Sequence, residues 1–174
     1  MPGSIFSFKD QYCGYAEYHN NRTNQIIHTI FVPAIMWSSC VMHTIGVPGA
    51  IIPGLPFNVT TLLTISYATY YTILHPVIGG FVGATLFGML YSCNLFVTES
   101  RALTGMGPFY LALAIHVTAW ICQFIGHGVF EKRAPALLDN LLQAVVLAYL
   151  FVWTHTLFDF GLYPDLHKEL QSEQ

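Results

Sequence analysis

The 174 residues make one domain's worth of chain, 54% hydrophobic and only 9% charged, where soluble globular proteins carry about 25% charged residues. A soluble domain of this size has no interior large enough for so much apolar surface, so the composition points to a single transmembrane domain over residues 1–174. The net charge of -3 and the lack of any basic run exclude a nucleic-acid binder.

Met1 to Tyr18 does not read as a signal peptide, because Lys9 and Asp10 interrupt it and no long apolar core follows. Ile5, Phe8, Tyr12, Tyr15 and His19 fall at helical spacing, an amphipathic stripe suited to a membrane surface. A polar turn follows at Asn20–Asn24, with Thr23 or Asn24 as the expected cap of the next helix. Gln25 to Val47 is uncharged and long enough to span a bilayer, with Pro33 predicting a kink one turn past His28. Val47 to Pro56 reads as a Pro- and Gly-rich loop. Phe57–Leu74 and Val77–Val97 form a tight hairpin around His75-Pro76, and Gly79, Gly80, Gly83, Ala84 and Gly88 are spaced for close packing. Thr98 to Pro108 reads as a loop, Phe109 to Phe130 as the fourth span, and Leu141 to Phe158 as a fifth apolar run before a polar tail. The expected fold is therefore all-α: a polytopic membrane protein of about five apolar helices with an N-terminal amphipathic interfacial helix.

Charge orients these spans. Arg22 precedes the first, and Lys132 and Arg133 follow the fourth, so both groups fall on one side, which the positive-inside rule makes cytosolic. Arg101 votes the other way. This topology gathers His19, His28 and His127 at one membrane face, with His75 on the same side. Neutral imidazoles that converge there suit iron, zinc or copper. The spans hold essentially no carboxylate, which disfavours a carboxylate-bridged di-iron site. His116 lies about 16 Å along a straight helix from His127, so one ion reaches both only if the helix breaks, for example at Gly126. It otherwise supports the site or lines a substrate channel. His43 and His155 read as helix-bridging residues, His167 as solvated, and Cys13, Cys40, Cys93 and Cys122 as buried thiols. Glu131, one turn past His127, is placed to accept a proton from a ligand imidazole.

Two stretches carry a resemblance. Tyr18-His19-Asn20 with Asn24-Gln25-Ile26-Ile27-His28 running into Phe31-Val32-Pro33 is one. The other is Trp120 to Leu137, WICQFIGHGVFEKRAPAL. Together they resemble the membrane 2-hydroxy fatty acid dioxygenases of fungal phytosphingosine degradation, in order and spacing over nearly the whole chain. The resemblance implies an Fe(II)-dependent enzyme of the endoplasmic-reticulum membrane, its site facing the cytosol. It would use O2 to shorten a 2-hydroxy long-chain fatty acid by one carbon, in fatty acid α-oxidation. The family's histidines fall on His19, His28, His116 and His127. The substrate would chelate iron through its carboxylate and hydroxyl oxygens, with Lys132 or Arg133 steering the carboxylate. The residues alone leave two rivals: another His-rich membrane lipid oxidase or hydroxylase, and a non-catalytic small transporter or scaffold whose histidines only bridge helices.

Overall fold

In a computed structural model that describes residues 4–46, 58–105, 107–134 and 141–173, the chain is built from helices. They are α1 (Phe8–Ala16), α2 (Arg22–Gly46), α3 (Val59–Leu74), α4 (Pro76–Thr104), α5 (Pro108–Ile125), α6 (Leu141–Asp159) and α7 (Pro164–Gln171), with a π-helical segment at Gly126–Glu131 continuing α5. No strand occurs among the described residues. The loop expected at Val47–Pro56, the residue Phe57 and the end of the link at 135–140 lie outside them.

Ser7 starts α1 by accepting the Asp10 amide at 3.2 Å. The stripe Phe8, Tyr12, Tyr15 and His19 is present, but it turns inward and is buried. Tyr12 and Tyr15 pack on Phe151 of α6 at ring-centroid distances of 5.1 and 4.5 Å, so this face is protein core rather than lipid contact. Ile5 and Phe6 just ahead of it are left exposed, at 63% and 61%.

The cap of α2 is Asn21, not Thr23 or Asn24: its Oδ1 accepts the amides of Thr23 at 2.9 Å and Asn24 at 3.3 Å. A capping side chain must precede the amides it receives, so the helix begins earlier than the apolar run does. It then runs through Pro33 to Gly46. The residues from Thr98 to Thr104, expected in a loop, extend α4 instead. No breaker interrupts them until Gly105, whose φ of 71° ends the helix in the left-handed region.

The all-α polytopic class holds, and among the described residues three helices, α2, α4 and α5 with its π-helical extension, are long and apolar enough to cross a membrane, against the five apolar helices expected. α6 adds a fourth only if it counts with α7, to which it is bent by 117°. At 16 residues, about 24 Å, α3 falls short of a hydrocarbon core of about 30 Å.

The α3–α4 hairpin is as tight as the glycines suggest, at two of them. A methyl group on Gly79 would collide with the Tyr71 carbonyl, and one on Gly83 would sit 3.1 Å from Ala68 Cβ. Gly80 and Gly88 face open space, so they are not part of the crossing. His75 closes the turn by accepting the Ile78 amide on its Nδ1 at 3.2 Å. Gly79→Ala is expected to destabilise the detergent-solubilised protein by about 1–3 kcal/mol through overpacking, with Gly80→Ala near neutral. Parallel thermal unfolding of the two variants checks this, and equal midpoints would refute it.

Candidate metal centre

The loop between α1 and α2 is held against the end of the π-helical segment by one carboxylate. Glu131 accepts the amide of Asn20 at 2.7 Å, the amide of Asn21 at 3.0 Å and the Asn24 side-chain Nδ2 at 3.0 Å. Arg133 adds a second fastening, donating to the Glu17 carbonyl at 2.8 Å with its guanidinium 4.1 Å above the Tyr18 ring. Between these anchors α5 meets α2 closely, because Gly126 has no Cβ: one there would collide with Asn24 Oδ1. The change to π-helical winding begins at that glycine. Such segments are frequent where a helix must re-aim a functional side chain.

These contacts bring three histidines together from three elements. His19 follows α1, His28 lies one turn into α2, and His127 lies in the π-helical segment; each is at most 4% exposed. One ligand atom from each lies within 4.8 Å of the others. His28 Nε2 and His127 Nε2 are 3.2 Å apart, the separation of two nitrogens sharing an ion at about 2.1 Å each. The tautomers are set by the backbone. His19 Nδ1–H donates to the Tyr15 carbonyl at 2.8 Å and His28 Nδ1–H to the Asn24 carbonyl at 2.9 Å, so each presents an Nε2 lone pair to the centre. His19 Nε2 is buried with no hydrogen-bond partner. Burial first, and then the charge His28 would carry, push the His19 pKa well below the usual imidazole range, so the ring is neutral at neutral pH. Three buried, converging imidazoles, two of them oriented by backbone carbonyls, can hold a metal ion.

His116 does not join them. Trp120 Nε1–H donates to its Nε2 at 2.9 Å, which leaves Nδ1–H to donate to Ser38 Oγ at 3.0 Å. Both ring nitrogens are therefore occupied. The break at Gly126 does occur, but it re-aims His127 and leaves His116 further along α5 on the cavity wall. His75 is likewise apart, packed on Phe8 at 5.1 Å. His155 Nε2 lies 3.1 Å from both Gln25 Oε1 and Arg22 Nη1 of α2, donating to the first or accepting from the second according to its tautomer, which fits a bridging role. His167, expected to be solvated, is half-buried and stacked on Phe158 at 4.5 Å. All four cysteines are free thiols; Cys93 is buried and the other three are half-buried.

The triad stands at one end of a cavity of about 390 Å³ running between α2, α3, α5 and α6. Val32, Met36, Leu63, Leu86 and Met89 give it an apolar wall, and His43 and Thr60 mark the far end. His28 and His43, both in the lining, are fifteen residues apart on α2, a rise of about 22 Å along the helix. Among the described residues that line it there is no lysine, arginine, aspartate or glutamate. Lys132 and Arg133 are both exposed and lie outside the lining. Glu131 spends both oxygens on the α1–α2 loop and Asn24, where the sequence suggested an imidazole partner. Sequence reasoning took Asn24 for a helix cap and placed Gln25 in the motif, but gave neither a role at the site. Both are polar, at the mouth of an apolar span and inside the motif that contains His28. Asn24 is fully buried, and its carbonyl orients His28 while its amide reaches Glu131. Gln25 Nε2 donates to the His19 carbonyl at 2.8 Å.

Residues 5–160 match the family model described as 2-hydroxy-palmitic acid dioxygenase Mpo1-like. The chain is 35% identical over 175 residues to the 2-hydroxy-palmitic acid dioxygenase MPO1 of Saccharomyces cerevisiae, an alignment covering 99% of this chain and 92% of the relative. No solved structure matches it. The chain belongs to the Mpo1-like family.

Glu131→Gln keeps the size but turns an amide N–H2 toward a set of donors. It is expected to weaken divalent-metal affinity by about 10- to 100-fold, the usual effect of losing a partner that orients a ligand. Stoichiometry at saturation should be unchanged. Metal titration of the purified protein reads both quantities, and complete loss at saturation would instead make Glu131 a direct ligand.

Proposed function

From that family membership, we propose that the chain is an Fe(II)-dependent dioxygenase of the membrane, which uses O2 to convert a 2-hydroxy long-chain fatty acid into the fatty acid one carbon shorter. The reaction class comes from the family and the yeast relative's name. The observation that carries it to particular atoms is the set of three converging imidazoles at the end of a long apolar cavity.

His19, His28 and His127 hold the iron in this reading. Imidazole suits iron, and the carbonyl bonds of Tyr15 and Asn24 keep two of the rings turned to it without further reorganisation. When bound, ferrous iron supplies the redox chemistry through which O2 reacts with a saturated hydroxy acid. The three neutral rings contribute no negative charge, so a carboxylate brought by the substrate complements the ion. The acyl chain lies along Val32, Met36, Leu63 and Leu86, where each buried CH2 contributes about 0.8 kcal/mol. His116, Trp120 and Ser38 form a closed hydrogen-bond chain beside that path. His116 thus shapes the cavity without joining the metal. Lys132 and Arg133 act outside it: Arg133 fastens α1, and Lys132 belongs to the positive rim of the cytosolic face. That orientation, with the chain in the endoplasmic-reticulum membrane and a place in phytosphingosine degradation, follows from the charge pattern and the family.

Anaerobically iron-loaded protein given 2-hydroxy-palmitate and then O2 is expected to yield the acid one carbon shorter; no turnover at stoichiometric iron would remove the proposal. His28→Ala and His127→Ala should each abolish bound iron and activity while the protein still inserts into membranes. His116→Ala should keep wild-type iron stoichiometry and lose about 1–3 kcal/mol of stability, since Trp120 Nε1 is left without an acceptor. Iron analysis of the three variants decides the ligand set: iron lost with His116 would bring that residue into it.

A further inference from the structure

Gln123 lies one helical turn before His127 and lines the same cavity. It is 5% exposed, yet its side-chain Nε2 has no hydrogen-bond partner. A buried amide left in that state costs about 1–3 kcal/mol, which selection for stability alone would remove by an apolar residue. The cavity also has an unmet need. A fatty acid carboxylate entering it finds no lysine or arginine among the described lining residues. Trp120 and His116, the nearest other donors on this face of α5, have already spent their N–H groups on each other and on Ser38.

We propose that Gln123 binds the substrate head group, its Nε2–H donating to the carboxylate of the 2-hydroxy acid while the three histidines hold the metal. This rests on the 2-hydroxy acid reading above and adds to it the residue that recognises the acid. An amide donor suits this position better than a lysine would. It satisfies the anion without setting a second positive charge beside the ion, and it adds no charge to the apolar cavity when the substrate leaves.

The test compares wild type with Gln123→Met, which keeps the volume without the donor, and Gln123→Glu, which sets a carboxylate against the substrate's. Three quantities are read: iron per chain, the Kd of 2-hydroxy-palmitate for anaerobic iron-loaded protein, and kcat and KM in O2. Q123M is expected to bind iron as wild type does, to raise Kd and KM by about 10- to 100-fold, the range for one hydrogen bond to a charged group, and to change kcat little. Q123E should raise both further. An unchanged Kd in Q123M overturns the proposal, and so does loss of iron in both variants, which would make Gln123 a support of the metal site. Should Q123M fail to fold, Q123E carries the same decision, because it preserves size and polarity; an unchanged Kd there is equally fatal. Failure of the wild type itself to bind or turn over 2-hydroxy-palmitate would instead remove the functional reading, before any variant is made.

Discussion

The centre depends on the carboxylate of Glu131 reaching across to Asn20, Asn21 and Asn24. His127 lies in the segment that Glu131 ends, His28 is one turn above Asn24, and His19 immediately precedes Asn20. One side chain therefore fixes the spacing among all three imidazoles. Its three donors are amides rather than cations, so the contact brings no net charge of its own to balance the acid. A carboxylate held by three amide donors is fixed in direction, and hydrogen bonds to a charged group are stronger than neutral ones. Gly126 completes the arrangement by letting the two helices approach until Asn24 stands where a Cβ would be.

The same economy runs through the cavity. Several polar groups in or beside it are tied without bringing in a charged side chain: His116 with Ser38 and Trp120, and His19 and His28 with carbonyls one turn back, while Gln123 Nε2 is left open. Buried histidines of this kind are neutral and rigid, and a metal ligand needs both properties. The remaining lining is largely apolar, which favours a long alkyl chain.

Much of this could be read from the chain. The charge deficit and the apolar runs gave the membrane class and the helices, whereas the meeting of His19, His28 and His127 stands on their contacts, because α3, one of the four crossings counted, is too short to span. Periodicity also found the stripe of α1, but periodicity says only that a face is apolar. It cannot say whether lipid or α6 covers that face, and here α6 does. Thr98–Thr104 looked like a loop because its residues are polar, although polar residues without a breaker continue a helix readily. The separation of His116 from His127 was likewise visible as about 16 Å of helix, and the family resemblance drew His116 into the ligand set against that distance. Glu131 was identified by its register with His127, while its true partners were invisible because they lie 107 to 111 positions away in sequence.

Those separations also set an order of events in biosynthesis. His28 and His127 are 99 positions apart, so α2 enters the bilayer long before the segment that completes its polar face exists. At about 5–20 residues per second the interval is roughly 5–20 seconds. Throughout it Asn24 and His28 stand at the rim of a span with no protein partner. They lie at the very start of α2, within reach of headgroups and water, where a polar side chain can wait at little cost. The same pair at the middle of the helix would wait in hydrocarbon. The nascent chain therefore tolerates its incomplete state because Asn24 and His28 sit at the helix mouth, and the histidine triad is assembled only after His127 has been made.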